Sequence, residues 1–253
     1  MKKMKLIIGW LYPDLMSTYG DRGNIIVLQK RAKWRDIDTE IISLSVGSSS
    51  KELRKSDLIF MGGAQDRQQK IVAEDFRKGK SEILKEMIED FVPGLYICGA
   101  YQFLGKYYKE ADGTVIEGLG ILDLYTENPG INVPRLIGNI VFRSSFLPEN
   151  TTIVGFENHG GRTYLGKKVK SLGQVLKGYG NNGVDGSEGA IYKNTIGSYL
   201  HGPMLPKNPH VADFLLAAAL KRKYQENIHL QKLDDELEIK AHSVIVRKLK
   251  IRV

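Results

Sequence analysis

The sequence predicts an α/β fold: a mostly parallel central sheet flanked by helices, with an additional β-rich segment. Three observations predict it. Short apolar runs at 5–9 (Lys-Leu-Ile-Ile-Gly), 40–44 (Glu-Ile-Ile-Ser-Leu) and 57–61 (Asp-Leu-Ile-Phe-Met) read as strands covered on both faces, the pattern of a parallel sheet. Longer amphipathic stretches lie between them, giving a βαβ rhythm. From about residue 115 to 200 the apolar runs become short and Gly-punctuated, which marks the β-rich part.

Taken in order, the first strand has a basic lead-in. Its apolar run stops at Pro13-Asp14 with no small-residue cleavage site after it, so it reads as a strand and not as a signal peptide. Ile26, Leu28, Lys30, Arg31, Ala32 and Trp34 suit a helix before the second strand, and residues 66–91 read as one or two more. A fourth apolar run, Leu95-Tyr-Ile-Cys98, follows Pro93-Gly94 and enters Gly99-Ala-Tyr-Gln-Phe-Leu-Gly105, the composition of a turn that opens a helix. Strands of the β-rich part are expected at 121–125, 136–142, 153–156, 190–192 and 196–200. Asn208-Pro209 then starts a helix, Asn208 as N-cap, with Lys221-Arg222-Lys223 at the end where cations favour the helix dipole. No internal repeat or low-complexity linker interrupts the chain. Residues 1–223 are read as a single domain and 224–253 as a C-terminal extension or tail.

Composition narrows the functional classes. The 253 residues are 42% hydrophobic and 26% charged, ordinary for a folded domain, and no stretch approaches the roughly 20 apolar residues that span a bilayer. One cysteine excludes an internal disulfide and a thiolate cluster for zinc, and fits a reducing cytoplasm. The net charge of +8 raises the question of nucleic acid, but it gathers at the ends of the chain. No zinc-finger spacing or RNP-like aromatic motif accompanies it, so no nucleic-acid partner is expected.

The chemistry-bearing residues are few. Cys98 ends an apolar strand and precedes small residues that permit a sharp strand-to-helix turn, the setting of a nucleophile elbow. There a thiolate gains from the helix N-terminus, and from a neighbouring histidine if one is brought close. A lone strand cysteine is otherwise an inert small hydrophobe. Gly62-Gly63 closes the preceding strand, where backbone N–H groups can approach a developing oxyanion, so Gly63 and Gly99 are the expected hole. An ordinary strand-end turn would look the same. His201, in Ile196-Gly-Ser-Tyr-Leu-His201-Gly-Pro203, ends a late apolar strand and is the expected base, against the alternative of a satisfied loop histidine.

Gly94-Leu-Tyr-Ile-Cys98-Gly-Ala-Tyr-Gln102, with Gly62-Gly63 upstream and Tyr199-Leu-His201-Gly202 downstream, resembles class I (triad-type) glutamine amidotransferases of the cobyric-acid-synthase-like branch. Tyr19-Gly-Asp-Arg-Gly-Asn24, Arg135-Leu-Ile-Gly138 and Gly155-Phe-Glu-Asn-His-Gly-Gly-Arg162 extend the resemblance, in the order of that branch, over most of residues 5–223. It implies a flavodoxin-like glutaminase domain that hydrolyses L-glutamine through a Cys98 thioester with His201 as base. Arg135 falls on a substrate-associated arginine; Gln102 and Asn158 are further candidates for glutamine recognition. The resemblance further implies a heterodimer in which a Mur-ligase-like synthetase subunit takes the ammonia and amidates D-glutamate of the lipid II stem peptide. ATP is expected on that partner only, with no cofactor or metal here: Gly79-Lys80-Ser81 mimics the end of a P-loop, but Glu74 stands where its first glycine belongs. The implied site of action is the cytoplasm, peripheral to the membrane through the lipid-linked substrate.

Two departures bear on mechanism. Ala100 occupies an elbow position where the wider class has glycine, so strain is expected there. Pro203 stands where many class I glutaminases have the glutamate that orients the histidine, and Asp213, the nearest following acid, belongs to a helix. An orienting carboxylate is therefore expected from the partner, with Glu157 and His159 as an internal alternative pair. Two other readings compete: a DJ-1- or peptidase-like cysteine hydrolase on the same scaffold, and a non-catalytic binding protein with Cys98 as core.

Overall fold

The computed structural model describes residues 3–251. Its first part alternates as expected: β1 (Lys5–Leu11), α1 (Arg22–Lys33), β2 (Asp38–Leu44), α2 (Ser50–Leu53), β3 (Leu58–Met61), α3 (Asp66–Phe76), α4 (Lys80–Glu89), β4 (Gly94–Ile97) and α5 (Gly99–Phe103). The β-rich part holds β5 (Tyr107–Lys109), β6 (Val115–Glu117), β7 (Leu124–Glu127), β8 (Leu136–Ser144), β9 (Thr152–His159), β10 (Arg162–Leu165), β11 (Gly173–Lys177), β12 (Ser187–Glu188), β13 (Ala190–Tyr192), β14 (Thr195–Ser198) and β15 (Leu200–His201). Helices α6 (Pro209–Tyr224) and α7 (Glu236–Lys248) follow.

The central sheet has the order β13-β14-β4-β3-β1-β2, parallel throughout except for β13 at its edge. Its parallel strands thus run 2-1-3-4-5 when β14 is counted fifth, the flavodoxin-like order, whose ligand crevice lies outside the strand C-termini where the order reverses. β3 and β4 are buried along their whole length, as unbroken apolar runs between two helix layers must be. One layer joins α3, α4 and α5 through Val72, Phe76, Leu84, Met87 and Phe103; the other joins α1 and α6 through Ile25, Leu28, Leu215 and Leu216.

Residues 107–201 add two small sheets, β10-β7-β5-β6 and β12-β11-β8-β9-β15, the second antiparallel throughout. The expected strand at 121–125 lies later, at Leu124–Glu127, because Ile121 and Leu122 donate their backbone N–H groups back to Leu104 at the end of α5. Asn208 precedes α6 as expected but does not cap it. Its buried side chain accepts from Val154 N–H and donates to the Val154 and Met204 carbonyls, tying the helix start to β9.

Residues 224–251 are not a loose tail. Val246 of α7 packs with Val141 of β8 and Val154 of β9, and His242 bonds Thr152 Oγ1 (2.9 Å) and the Lys207 carbonyl (2.9 Å). Asp235 reaches Arg31, which is 1% exposed on α1 and is also held by Asp213 of α6 at 2.7 Å. The extension is therefore part of the same packed body.

Candidate active site

β4 ends at Ile97, and the chain turns sharply at Cys98, with φ 51° and ψ −107°, before α5 begins at Gly99. A non-glycine residue in this conformation is strained, which is the geometry of an elbow that lifts a nucleophile off a strand end. The strain sits on Cys98 itself. Ala100, where it was expected, lies inside α5 and is absent from the positive-φ residues, so its Cβ is comfortable. Cys98 N–H donates to the Ser198 carbonyl of β14 at 2.8 Å, which fixes the elbow to the next parallel strand.

His201 arrives from β15 and is fully buried. Gly63 measures how close the two come: a Cβ built on it would lie 2.9 Å from His201 Cε1 and 3.3 Å from Cys98 Cβ. Any side chain at 63 would therefore push into the pair. His201 Nδ1 faces Asp21 Oδ1 at 3.7 Å, an ion-pair distance longer than a hydrogen bond, and neither ring nitrogen has a hydrogen-bond partner among the described residues. Burial opposes the imidazolium, but the charge of Cys98 and the Asp21 carboxylate outweigh it and raise His201 to about 10. These charges favour the imidazolium form of the ring beside the sulfur.

The carboxylate that faces His201 within the chain is Asp21, neither Glu157, the expected internal alternative, nor a residue that needs the partner. It stands before α1, in the segment that follows β1, and is fully buried. Its other oxygen accepts from Gly63 N–H at 2.7 Å. That bond also corrects the assignment of Gly63 to the oxyanion hole, because its N–H points away to Asp21. Ala64 N lies 3.1 Å from the position of a Cβ on Gly99 and has no backbone acceptor among the described residues, and Ala64 lines the cavity. Gly99 opens α5, so its own N–H has no intrahelical acceptor. Ala64 N–H and Gly99 N–H thus lie near one another with no hydrogen-bond acceptor among the described residues.

A cavity of about 650 Å³ opens over Cys98, and Gln102, Arg135 and Asn158 all line it. Gln102, one turn into α5, accepts from Gln69 Nε2 (3.3 Å) and donates to Tyr199 Oη (3.1 Å). Arg135 donates to Asn158 Oδ1 (2.9 Å) and to the Asn158 carbonyl (2.8 Å). Asn158 in turn donates to Tyr19 Oη at 3.0 Å, and the Tyr19 ring meets His201 edge-on at 4.8 Å. These contacts run from the base to the cavity mouth. In the sequence Tyr19 stands only within the motif at 19–24, and its place against the ring emerges only in the folded chain.

His159, the alternative base, also lines the cavity. It stacks on Tyr199 at 3.6 Å, and its Nδ1 bonds the Gly161 carbonyl at 2.7 Å. Burial lowers its pKa, so it stays neutral. Glu157 lies 4.0 Å from it and accepts from the Tyr179 and Gly180 N–H groups at 2.7 and 2.9 Å. Those two amides occupy its carboxylate in holding a turn. Of the two histidines, it is His201 that shares the Gly63 position with Cys98.

The CobB/CobQ-like glutamine amidotransferase domain matches residues 7–209. The chain belongs to that family. Among its relatives, subunit GatD of lipid II isoglutaminyl synthase (glutamine-hydrolyzing) from Staphylococcus aureus is 46% identical over 242 residues, covering 96% of this chain and 95% of that protein. The Streptococcus pneumoniae subunit of the same name is 43% identical over 92% of this chain and 87% of its own. A probable cobyric acid synthase from Methanothermobacter thermautotrophicus is 29% identical over 73% of this chain, within 39% of its own length.

Solved glutamine amidotransferases share the fold. One superposes with a TM-score of 0.55 at 15% identity, covering 84% of this chain and 98% of that one. A second, from Thermotoga maritima, gives 0.51 at 12% identity over 99% of this chain and 100% of that one. This CobB/CobQ-like member is an enzyme, and its elbow, buried histidine and cavity lie at the crevice the flavodoxin-like order provides.

Proposed function

We propose that this chain is the glutaminase subunit of a lipid II isoglutaminyl synthase, hydrolysing L-glutamine to glutamate and ammonia at Cys98. The observation that carries the reading is a strained elbow cysteine that lines a cavity and shares the Gly63 position with a buried histidine behind it. The 46% identity to the Staphylococcus aureus subunit over nearly the whole chain supports the assignment to lipid II amidation.

In this mechanism Cys98 Sγ attacks the carboxamide carbon, and the carbonyl oxygen takes its developing charge between the N–H groups of Gly99 and Ala64. His201 protonates the leaving nitrogen, the C–N bond breaks, and ammonia departs from a Cys98 thioester. His201, now neutral, takes a proton from water, whose oxygen attacks the thioester; glutamate leaves and the sulfur is restored. Asp21 supports the imidazolium form. Arg135 faces the substrate carboxylate. Ammonia then passes to a Mur-ligase-like partner in the cytoplasm, which spends ATP on the α-carboxylate of D-glutamate. No helix among the described residues is long and apolar enough to cross a membrane.

The test is glutamate release from L-glutamine by the wild-type chain and by Cys98→Ala, each alone and with the Mur-ligase-like subunit. Release that requires Cys98 and rises with the partner supports the reading. No release in any mixture overturns it.

A further inference from the structure

Outside the dyad, the cavity holds one carboxylate that the mechanism leaves idle. Asp66 opens α3 immediately beyond the loop that carries Gly63 and Ala64, is half-buried, and lines the same cavity as Cys98 and Arg135. It makes no ion pair among the described residues. Lys70, one turn on, is taken by Glu110 at 2.7 Å. Burial and the like charge of Glu110 push the Asp66 carboxyl up, while Lys70, Tyr108 and Arg135 only partly offset them. Arg135 bonds Asn158 but, among the described residues, has no carboxylate partner, and Arg67 at the cavity wall is likewise without one. Among the described residues Asp66 and Arg135 make no ion pair with each other, so the cavity that Cys98 lines presents unpaired opposite charges.

That charge pattern is complementary to an α-amino acid whose side chain reaches down to the sulfur. We propose that Asp66 binds the α-ammonium group of the glutamine substrate, while the Arg135 guanidinium lining the same cavity faces the α-carboxylate. The proposal rests on the glutaminase reading and adds a specificity determinant to it. A carboxylate left without a cation in a partly dried cavity is stabilised when an ammonium arrives, and a substrate lacking that group forfeits the gain. Asp66 would thereby separate glutamine from carboxamides of the same length without an α-amino group. It takes no part in the bond changes at the carboxamide.

The experiment compares L-glutamine with glutaramate, which has hydrogen in place of the amino group, in the complex with the partner. Wild type, Asp66→Asn and Asp66→Glu are measured for KM and kcat on L-glutamine and for the inhibition constant of glutaramate competing with it. Alkylation of Cys98 by iodoacetamide reports an intact site in each. Asp66→Asn is expected to raise KM for L-glutamine about 10- to 100-fold, the scale of one charged hydrogen bond, with kcat and the glutaramate constant within about 3-fold of wild type. Asp66→Glu should recover part of the loss. Equal weakening of both compounds, or an unchanged KM, would overturn the assignment while leaving the glutaminase reading in place. A wild-type complex that releases no glutamate overturns both.

Discussion

The charge balance at His201 makes the first prediction at the scale of a residue. Its imidazole is raised to about 10, above its ordinary value of 6.5, with Asp21 among the causes. A group raised in the folded state stabilises the fold fully below its unfolded pKa, and that stabilisation is lost as pH rises through the folded value. The contribution therefore fades between about pH 6.5 and 10. Asp21→Asn keeps an oxygen for Gly63 N–H but removes the negative charge, so the His201 ring titration, followed by NMR, should move down by about one unit or more. The urea midpoint of this variant should also fall less steeply across that window, and glutaminase activity should drop about 10- to 100-fold. An unmoved titration would mean that the 3.7 Å contact carries no weight. Cys98 and His201 were legible in the sequence because each ends an apolar run beside glycine, a local signal. Asp21 was not, because only the folded chain brings the segment after β1 against β15, and in the sequence it stands only as one residue of the motif at 19–24.

At the scale of an element, the β4–α5 elbow stores strain at one peptide unit. Cys98 at φ 51° and ψ −107° occupies the mirror image of ordinary extended backbone, which glycine enters freely and any side chain resists. Cys98→Gly should therefore be more stable than Cys98→Ala by about 1 kcal/mol in urea denaturation, although both lose the nucleophile and a smaller side chain ordinarily destabilises. The reverse order would place the strain elsewhere. Packing around the elbow gives a companion prediction for Gly99→Ala. Its Cβ would come 2.8 Å from Gln69 Nε2 and 3.1 Å from Ala64 N and O, so the proposed oxyanion donors must separate. A loss of kcat of about 100-fold is expected, with KM for L-glutamine changed much less, because the damage falls on the transition state. The parallel sheet was legible here from continuous apolar strands, and the elbow from small residues after one of them. The site of the strain was not, since sequence pattern gives no φ angle and the glycine habit of the wider class pointed to position 100.

At the scale of the whole molecule, the last segment ties two helices together on a side remote from the chemistry. Arg31 lies 10 residues along α1 from Asp21, about 15 Å of helix. Almost fully buried, it is neutralised by Asp213 of α6 and Asp235 of the extension, while Arg35 bonds both Asp213 and the Gln231 carbonyl. No periodicity announces such a clasp: its members come from three distant stretches, and residues 224–253 show no motif. Asp235→Ala leaves Arg31 buried with one carboxylate that it must share with Arg35. Because Asp213 remains and the Asp235 side chain is 21% exposed, the expected cost is about 1–3 kcal/mol, below that of stranding a buried charge outright. The site is built from the C-terminal ends of β3 and β4, the segment after β1, and β15. The rate of Cys98 alkylation by iodoacetamide at 25 °C and KM for L-glutamine should therefore stay within about 2-fold, well-separated sites being nearly additive. Urea unfolding and alkylation measured on the same variant decide the matter. Parallel losses would mean that α1 transmits the state of the clasp to Asp21, making the extension part of the machinery that sets the His201 charge.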